Sequence, residues 1–283
     1  MTNHAQLWHV ESIDRVALVS YDNPPMNYMD ATGLHQFGRA LDEARRAHPA
    51  ALIITSAVPD QFITHFSVED ILAGQQKIQE RGPLGNQRAQ LLLERLSDLP
   101  HPVIAAMRGD TMGFGYEVAL ACDFRVAQRG DFRIGLPEVR MGIIPGAGGS
   151  QRLARLVGTA RALDLIMRAR VLTPDEALEL GLVNEVAEDA LEAALSLARE
   201  LAALPPVAVA MAKTAVYGGR DLDMHAALRV ERDASYRAKL APEATKAMSE
   251  YVNLPLDARR AWIDRREPKS GVLPRDDEQQ RHA

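Results

Sequence analysis

Residues 101–123 read His-Pro-Val-Ile-Ala-Ala-Met-Arg-Gly-Asp-Thr-Met-Gly-Phe-Gly-Tyr-Glu-Val-Ala-Leu-Ala-Cys-Asp. The short apolar run Pro102-Val103-Ile104-Ala105-Ala106, bounded by Pro and Gly109, has the pattern of a buried strand. Gly113-Phe114-Gly115 then punctuates the chain and opens a short helix, Tyr116 to Ala121. A buried strand that feeds a helix through a tight turn is a building unit of an α/β body. Between Asp110 and Asp123 the only acid is Glu117.

Working outward, strands are expected at Leu7–Ile13 and Val16–Val19, separated from the next helix by the breaker Asn23-Pro24-Pro25. Asp30 and Thr32 are N-cap candidates for a helix through Leu34, Phe37, Leu41 and Ala44. Leu52–Thr55 reads as a short buried strand. The polar, Gly-containing stretch Gly74–Asn86 reads as a mobile loop before a helix carrying Leu91, Leu92 and Leu96. Downstream, Phe124–Val126 and Phe132–Ile134 suggest strands, and beyond them lies the second Gly-rich turn, Gly142-Ile143-Ile144-Pro145-Gly146-Ala147-Gly148-Gly149. From Ser150 the chain is mostly helical, with a break at Leu204-Pro205-Pro206, and a polar tail starts near Glu267. The expected organisation is a strand-containing body over residues 1–190 and a helical region with its tail over 191–283. No fixed-period repeat is present.

The chain has 283 residues, with 33 Lys+Arg against 38 Asp+Glu, a formal charge of −5, and 47% hydrophobic residues. That composition excludes disordered and low-complexity classes and supplies a real core. The scattered, slightly acidic charge argues against a nucleic-acid partner, which would need a basic stripe. The single cysteine, Cys122, cannot form an internal disulfide, which agrees with a reducing compartment. No basic-then-apolar leader opens the chain, and no uncharged apolar run reaches the ~18 residues of a membrane span. A cytoplasmic protein without a membrane partner is expected.

The glycines invite a nucleotide-binding reading, but neither turn gives G-x-G-x-x-G: position 118 is Val and position 151 is Gln. No P-loop, H-E-x-x-H, Cys/His cluster or G-x-S-x-G elbow is present, so no metal site is expected. Glu117 carries the chemical signal. An all-apolar helix is buried, and a carboxylate on it is desolvated, which raises its pKa; its place in the first helical turn pulls the other way. A first-turn acid paired with an arginine accounts for it equally well. Glu138, in Leu136-Pro137-Glu138-Val139, reads alone as an ordinary helix-start acid. Taken together, the two form a carboxylate pair flanked by Gly-rich turns whose exposed amides suit an oxyanion. Such a set is fitted to proton chemistry α and β to a carbonyl.

The ordered string His101–Ala106, Gly109, Gly113–Glu117, Ala121-Cys122-Asp123, Leu136-Pro137-Glu138 and Gly142–Leu153 resembles the signature of the crotonase (enoyl-CoA hydratase/isomerase) superfamily. Ala177, Gly181-Leu182-Val183 and Met211-Ala212-Lys213 also fit. The likeness is densest over 100–160 and extends over about 15–250. It implies a spiral of ββα turns with a C-terminal helical trimerisation region, assembled as a homotrimer or a dimer of trimers. It implies an acyl-CoA thioester substrate, with coenzyme A as part of the substrate and no other cofactor. By motif matching, the oxyanion amides are those of Phe114, in the Gly113 turn, and of Phe66, in Phe62-Ile63-Thr64-His65-Phe66-Ser67-Val68. Gly146 belongs to the substrate-binding turn, and Glu117 and Glu138 take the places of the two water-activating glutamates. Asn27, Thr64, His65 and Ser67 are implied near the CoA.

The chain departs from the family pattern at three of these positions. His65 stands for Gly, Ser67 for Asp, and Phe114 for the middle Gly of a triplet. A backbone amide survives substitution, while two Phe rings would narrow the acyl pocket. A His forced to φ > 0 at position 65 would be strained. The segment Tyr236–Tyr251 fits the family's CoA-contacting pattern poorly. Hydration of an enoyl thioester is the reading these residues favour. An isomerase using Glu138, another chemistry on the same fold, or a non-catalytic acyl-CoA binder are the alternatives.

Overall fold

A computed structural model describes residues 5–264; the tail expected from Glu267 lies outside them. The chain opens with β1 (Trp8–Ile13), β2 (Val16–Tyr21), α1 (Ala31–Arg46), β3 (Ala51–Ser56) and β4 (Asp60–Gln61). Next come α2 (Val68–Ala73), α3 (Gln75–Arg81), a 3₁₀ turn (Gly82–Asn86), α4 (Gln87–Asp98), β5 (Val103–Met107) and β6 (Gly109–Met112). The middle of the chain holds α5 (Phe114–Ala121), β7 (Phe124–Gln128), β8 (Ile134–Gly135), a second 3₁₀ turn (Glu138–Met141), α6 (Gly149–Val157) and α7 (Thr159–Met167). After these come β9 (Val171–Leu172), α8 (Pro174–Glu179), β10 (Glu185–Ala187) and α9 (Ala190–Ala202). Four helices close the described chain: α10 (Pro206–Gly219), α11 (Met224–Leu240), α12 (Pro242–Asn253) and α13 (Ala258–Ile263).

One sheet runs β1-β2-β3-β5-β7-β10, parallel except for the β1–β2 hairpin; a smaller sheet runs β4-β6-β8-β9. Every residue of β3 and β5 is buried because both faces of the large sheet are covered. Leu52 and Ile54 of β3 face a core shared with Phe37 and Leu41 of α1, Leu93 and Leu96 of α4, and Val118 of α5. Ile53 points the other way, and joins Ile104, Val126 and, from α9, Ala194, Leu195 and Ala198. Because α9 packs on the sheet, the helical part that stands off it starts at α10.

The N-cap of α1 is Asp30, whose side chain accepts the Gly33 amide at 2.6 Å. The stretch Gly74–Asn86 is not a loop: it forms α3 and the first 3₁₀ turn. Gln75, Gln76, Gln79, Glu80 and Arg81 are good helix formers that face solvent, so their polarity marks an exposed helix. The strand expected at Phe132–Ile134 shrinks to Ile134–Gly135, and β6 carries no apolar run to announce it.

The helices from α10 onward bury little: α10, α12 and α13 bury no residue fully, and α11 buries only Ala234. The first of them is tied to the body through Asp123, which accepts from Lys213 Nζ at 2.7 Å, Tyr217 Oη at 2.9 Å and the Val103 amide at 2.7 Å. Among the described residues no single helix is long and apolar enough to cross a membrane. The α9–α10 pair qualifies only in sum, bent by 106°, and the apolar face of α9 lies on the sheet.

Candidate active site

Two glycines let α5 enter where it does. Gly113 sits at φ +50°, donates its N–H to Gly135 O at 2.9 Å, and its carbonyl accepts the Glu117 amide at 2.9 Å. A Cβ on Gly115 would lie 1.7 Å from Ile63 O, so only glycine lets the helix rest against the 62–64 segment. That segment is held in turn by the Met112 amide, which donates to Thr64 O at 2.9 Å.

The next stretch carries Phe66. Met29 bridges it in parallel fashion: the Met29 amide donates to His65 O at 2.8 Å and the Ser67 amide to Met29 O at 2.7 Å. In a parallel ladder the residue facing Met29 keeps its own N–H turned to the opposite side. The Phe114 N–H is the first of α5 and has no intrahelical acceptor. Among the described residues neither N–H has a hydrogen-bond acceptor. The two side chains meet edge to face, ring centroids 5.8 Å apart, so Phe66 and Phe114 stand side by side.

The acids come to the same place. A Cβ on Gly113 would lie 3.4 Å from Glu138 Oε1 and 3.4 Å from His65 Cβ, which puts both Glu138 and His65 against that turn. Glu138 is buried and its Oε2 has no hydrogen-bond partner among the described residues. Burial, with a smaller push from the charge of Glu117, raises its pKa to about 7. Glu117 is buried too, but not bare. Its Oε1 accepts the amides of Ala147 at 2.8 Å and Gly149 at 2.7 Å. Burial drives its pKa up, while those amides and the charge of Arg152 act against the rise. The first-turn acid therefore takes backbone amides of the second Gly-rich turn as its direct partners, with an arginine one step behind.

The remaining expected residues divide. Gly146 lies in the turn that holds Glu117, with its carbonyl accepting from Gln90 Nε2 at 3.0 Å. His65 is not among the non-glycine residues with positive φ, so the strain expected there is absent. Its Nδ1 lies 2.8 Å from Phe66 O and its ring stacks on Tyr28, centroids 4.3 Å apart. Asn27 is fully buried: its Oδ1 accepts the Asn23 amide at 2.8 Å and its Nδ2 donates to Ser56 Oγ at 2.9 Å and to Phe62 O. That side chain holds its loop together, and the expected place of the loop near the CoA stays a proposal. The buried Thr64 hydroxyl likewise contacts Met26 O and Gln61 Oε1, and Ser67 caps α2 by accepting the Asp70 amide at 3.0 Å. Sequence reasoning assigned no role to Ala147, Gly149 or Arg152, although all three lie in the Gly-rich motif. Their contacts with Glu117 span about thirty residues, and no local spacing signals them.

A family model for enoyl-CoA hydratase/isomerase matches residues 11–254. The chain belongs to that family. The short-chain-enoyl-CoA hydratase of Clostridium acetobutylicum is 34% identical over 249 residues, covering 86% of this chain and 93% of that one. An enoyl-CoA hydratase crystal structure from Geobacillus kaustophilus superposes with a TM-score of 0.82 at 30% identity, over 94% of this chain and 97% of that one. The fatty acid oxidation complex subunit alpha of Aliivibrio fischeri is 37% identical over 189 residues, 65% of this chain but only 27% of that longer protein. The family's crotonase fold is thus the fold of this chain, as the motif string implied.

Proposed function

We propose that this member of the enoyl-CoA hydratase/isomerase family is a lyase that adds water across the 2,3 double bond of an acyl-CoA thioester. What supports the reading is that Glu138 lies against the Gly113 turn that opens the helix of Glu117, and that Phe66 and Phe114 stand side by side with no acceptor on either N–H among the described residues. The two N–H groups would accept the thioester oxygen and stabilise the enolate charge that grows there. A water held between the carboxylates gives its proton to Glu117 as its oxygen bonds to Cβ. Glu138 delivers a proton to Cα, so one water is consumed and the pair ends with the proton count it began with. The assignment rests on the contacts: Glu117 has amides that favour a carboxylate, while Glu138, whose Oε2 has no partner among the described residues and whose pKa is near 7, is the group to carry the shared proton. An isomerase would need only one acid and would leave the amide grip on Glu117 without a purpose.

The reading asks for no cofactor beyond the CoA of the substrate. It includes a homotrimer or dimer of trimers, supported by exposed apolar side chains on α11 and α12 such as Leu240 at 65% and Val252 at 63%. A cytoplasmic site of action is part of the same reading, supported by the single cysteine. The test is a panel of 2-enoyl-CoA thioesters, with hydration read by loss of enoyl absorbance. Glu117→Gln and Glu138→Gln should each lower turnover by about 10²–10⁴-fold while the protein stays folded. Unchanged turnover in both variants would remove the hydratase reading.

A further inference from the structure

Arg152 lies in α6, one helical turn into it, and half-buried. Its guanidinium makes no ion pair with a carboxylate among the described residues. Burying an arginine without an acid on its fork is costly. What it does hold is one carbonyl: Nη1 donates to Ala147 O at 2.9 Å. That oxygen belongs to the peptide joining residues 147 and 148. The amides that bind Glu117 belong to the peptides on either side of it, 146–147 and 148–149. The turn bends there through Gly148 at φ +104°, where a Cβ would come within 2.3 Å of Arg152 Nη1. Fork and turn are therefore in contact through Nη1.

We infer that Arg152 is a positioning residue for Glu117: by gripping the middle peptide it keeps both flanking N–H groups aimed at the carboxylate and places a positive charge behind it. The inference rests on the hydratase reading for its effect on turnover, but not for its effect on Glu117 itself. The charges in play are few. Glu117 feels Arg152 and, on the site's far side, is coupled to Glu138; Arg152 feels Glu117, Glu94 of α4, and Tyr217 and Arg220 at the end of α10. Without Arg152 the carboxylate loses its one facing cation and its donors lose their anchor, and both losses favour the protonated acid.

The test is a titration of Glu117 by NMR of protein carrying ¹³C-labelled glutamate, the signal assigned by its loss in Glu117→Gln. In Arg152→Gln the midpoint should rise by about one pH unit or more. With an enoyl-CoA substrate, kcat should fall about tenfold or more at unchanged KM, with the acid limb of the rate profile moved upward by a matching amount. Arg152→Lys, which keeps the charge but not the fork, should raise the midpoint by less than Arg152→Gln does while kcat still falls. A parental midpoint in folded Arg152→Gln overturns the inference. If that variant does not fold, parental kcat and rate profile in Arg152→Lys overturn it. A shifted Glu117 in a protein that hydrates no enoyl-CoA would uphold the role of Arg152 and strike the hydratase reading instead.

Discussion

The strand–turn–helix unit over 103–121 and the helices over 206–263 both carry many apolar side chains, and these end in opposite states. Every residue of α5 is buried, and so is every residue of β5. In the C-terminal helices the same kinds of residue face outward, Val216 at 69% and Leu240 at 65% exposed. The first region holds its acid in full burial, where the amides of Ala147 and Gly149 reach it. The second is tied to the body at Asp123 and offers apolar faces that a single chain does not cover. Rigidity sits where the chemistry needs it, and unsatisfied surface sits where assembly would use it.

The strongest way to break this contrast is to disturb the packing of α5. Gly115→Ala places a methyl group against the Ile63 carbonyl, a backbone atom that cannot step aside, and should cost more than about 4 kcal/mol or prevent soluble expression. Urea unfolding of whatever folds would measure it. A near-neutral result would show that α5 has room to move and would undercut the preset site.

A second test sharpens the electrostatic side. Glu138 titrates near 7 in the folded protein, above its unfolded value, so the native state binds the extra proton. Stability from this group is present at acid pH and is lost as pH rises from about 4.5 through 7, by up to about 3 kcal/mol. Glu138→Gln should lack that loss, so the variant gains on the parent as pH increases. Denaturant midpoints at pH 5 and pH 8 would show it, and parallel curves for the two proteins would contradict it.

The smallest effect on chain stability belongs to the other region. Leu240→Glu with Val252→Glu should change the stability of dilute protein by less than about 1 kcal/mol, yet disperse assemblies in sedimentation. Unchanged sedimentation would mean that these faces do not join copies of the chain.

Much of this was legible in the order of the residues. The apolar runs at 52–55 and 102–106, the Asp30 cap and the turns at 113 and 146–149 are local patterns, and local rules read them. So was the oddity of Glu117, because a charge in an apolar helix stands out without any partner being known. Polarity misled at 74–86, where exposed helix and loop share a composition. It gave no sign that the polar side chains of Asn27 and Thr64 are taken up by partners up to thirty-eight residues away. What only the folded chain decided is which groups meet: that the amides of 147 and 149 close on Glu117, that Arg152 grips the peptide between them, and that Glu138 Oε2 is left without a partner. Those are contacts across long stretches of chain, set by how the spiral returns on itself. Burial and hydrogen bonding, which decide where the proton rests, come into being only when it does.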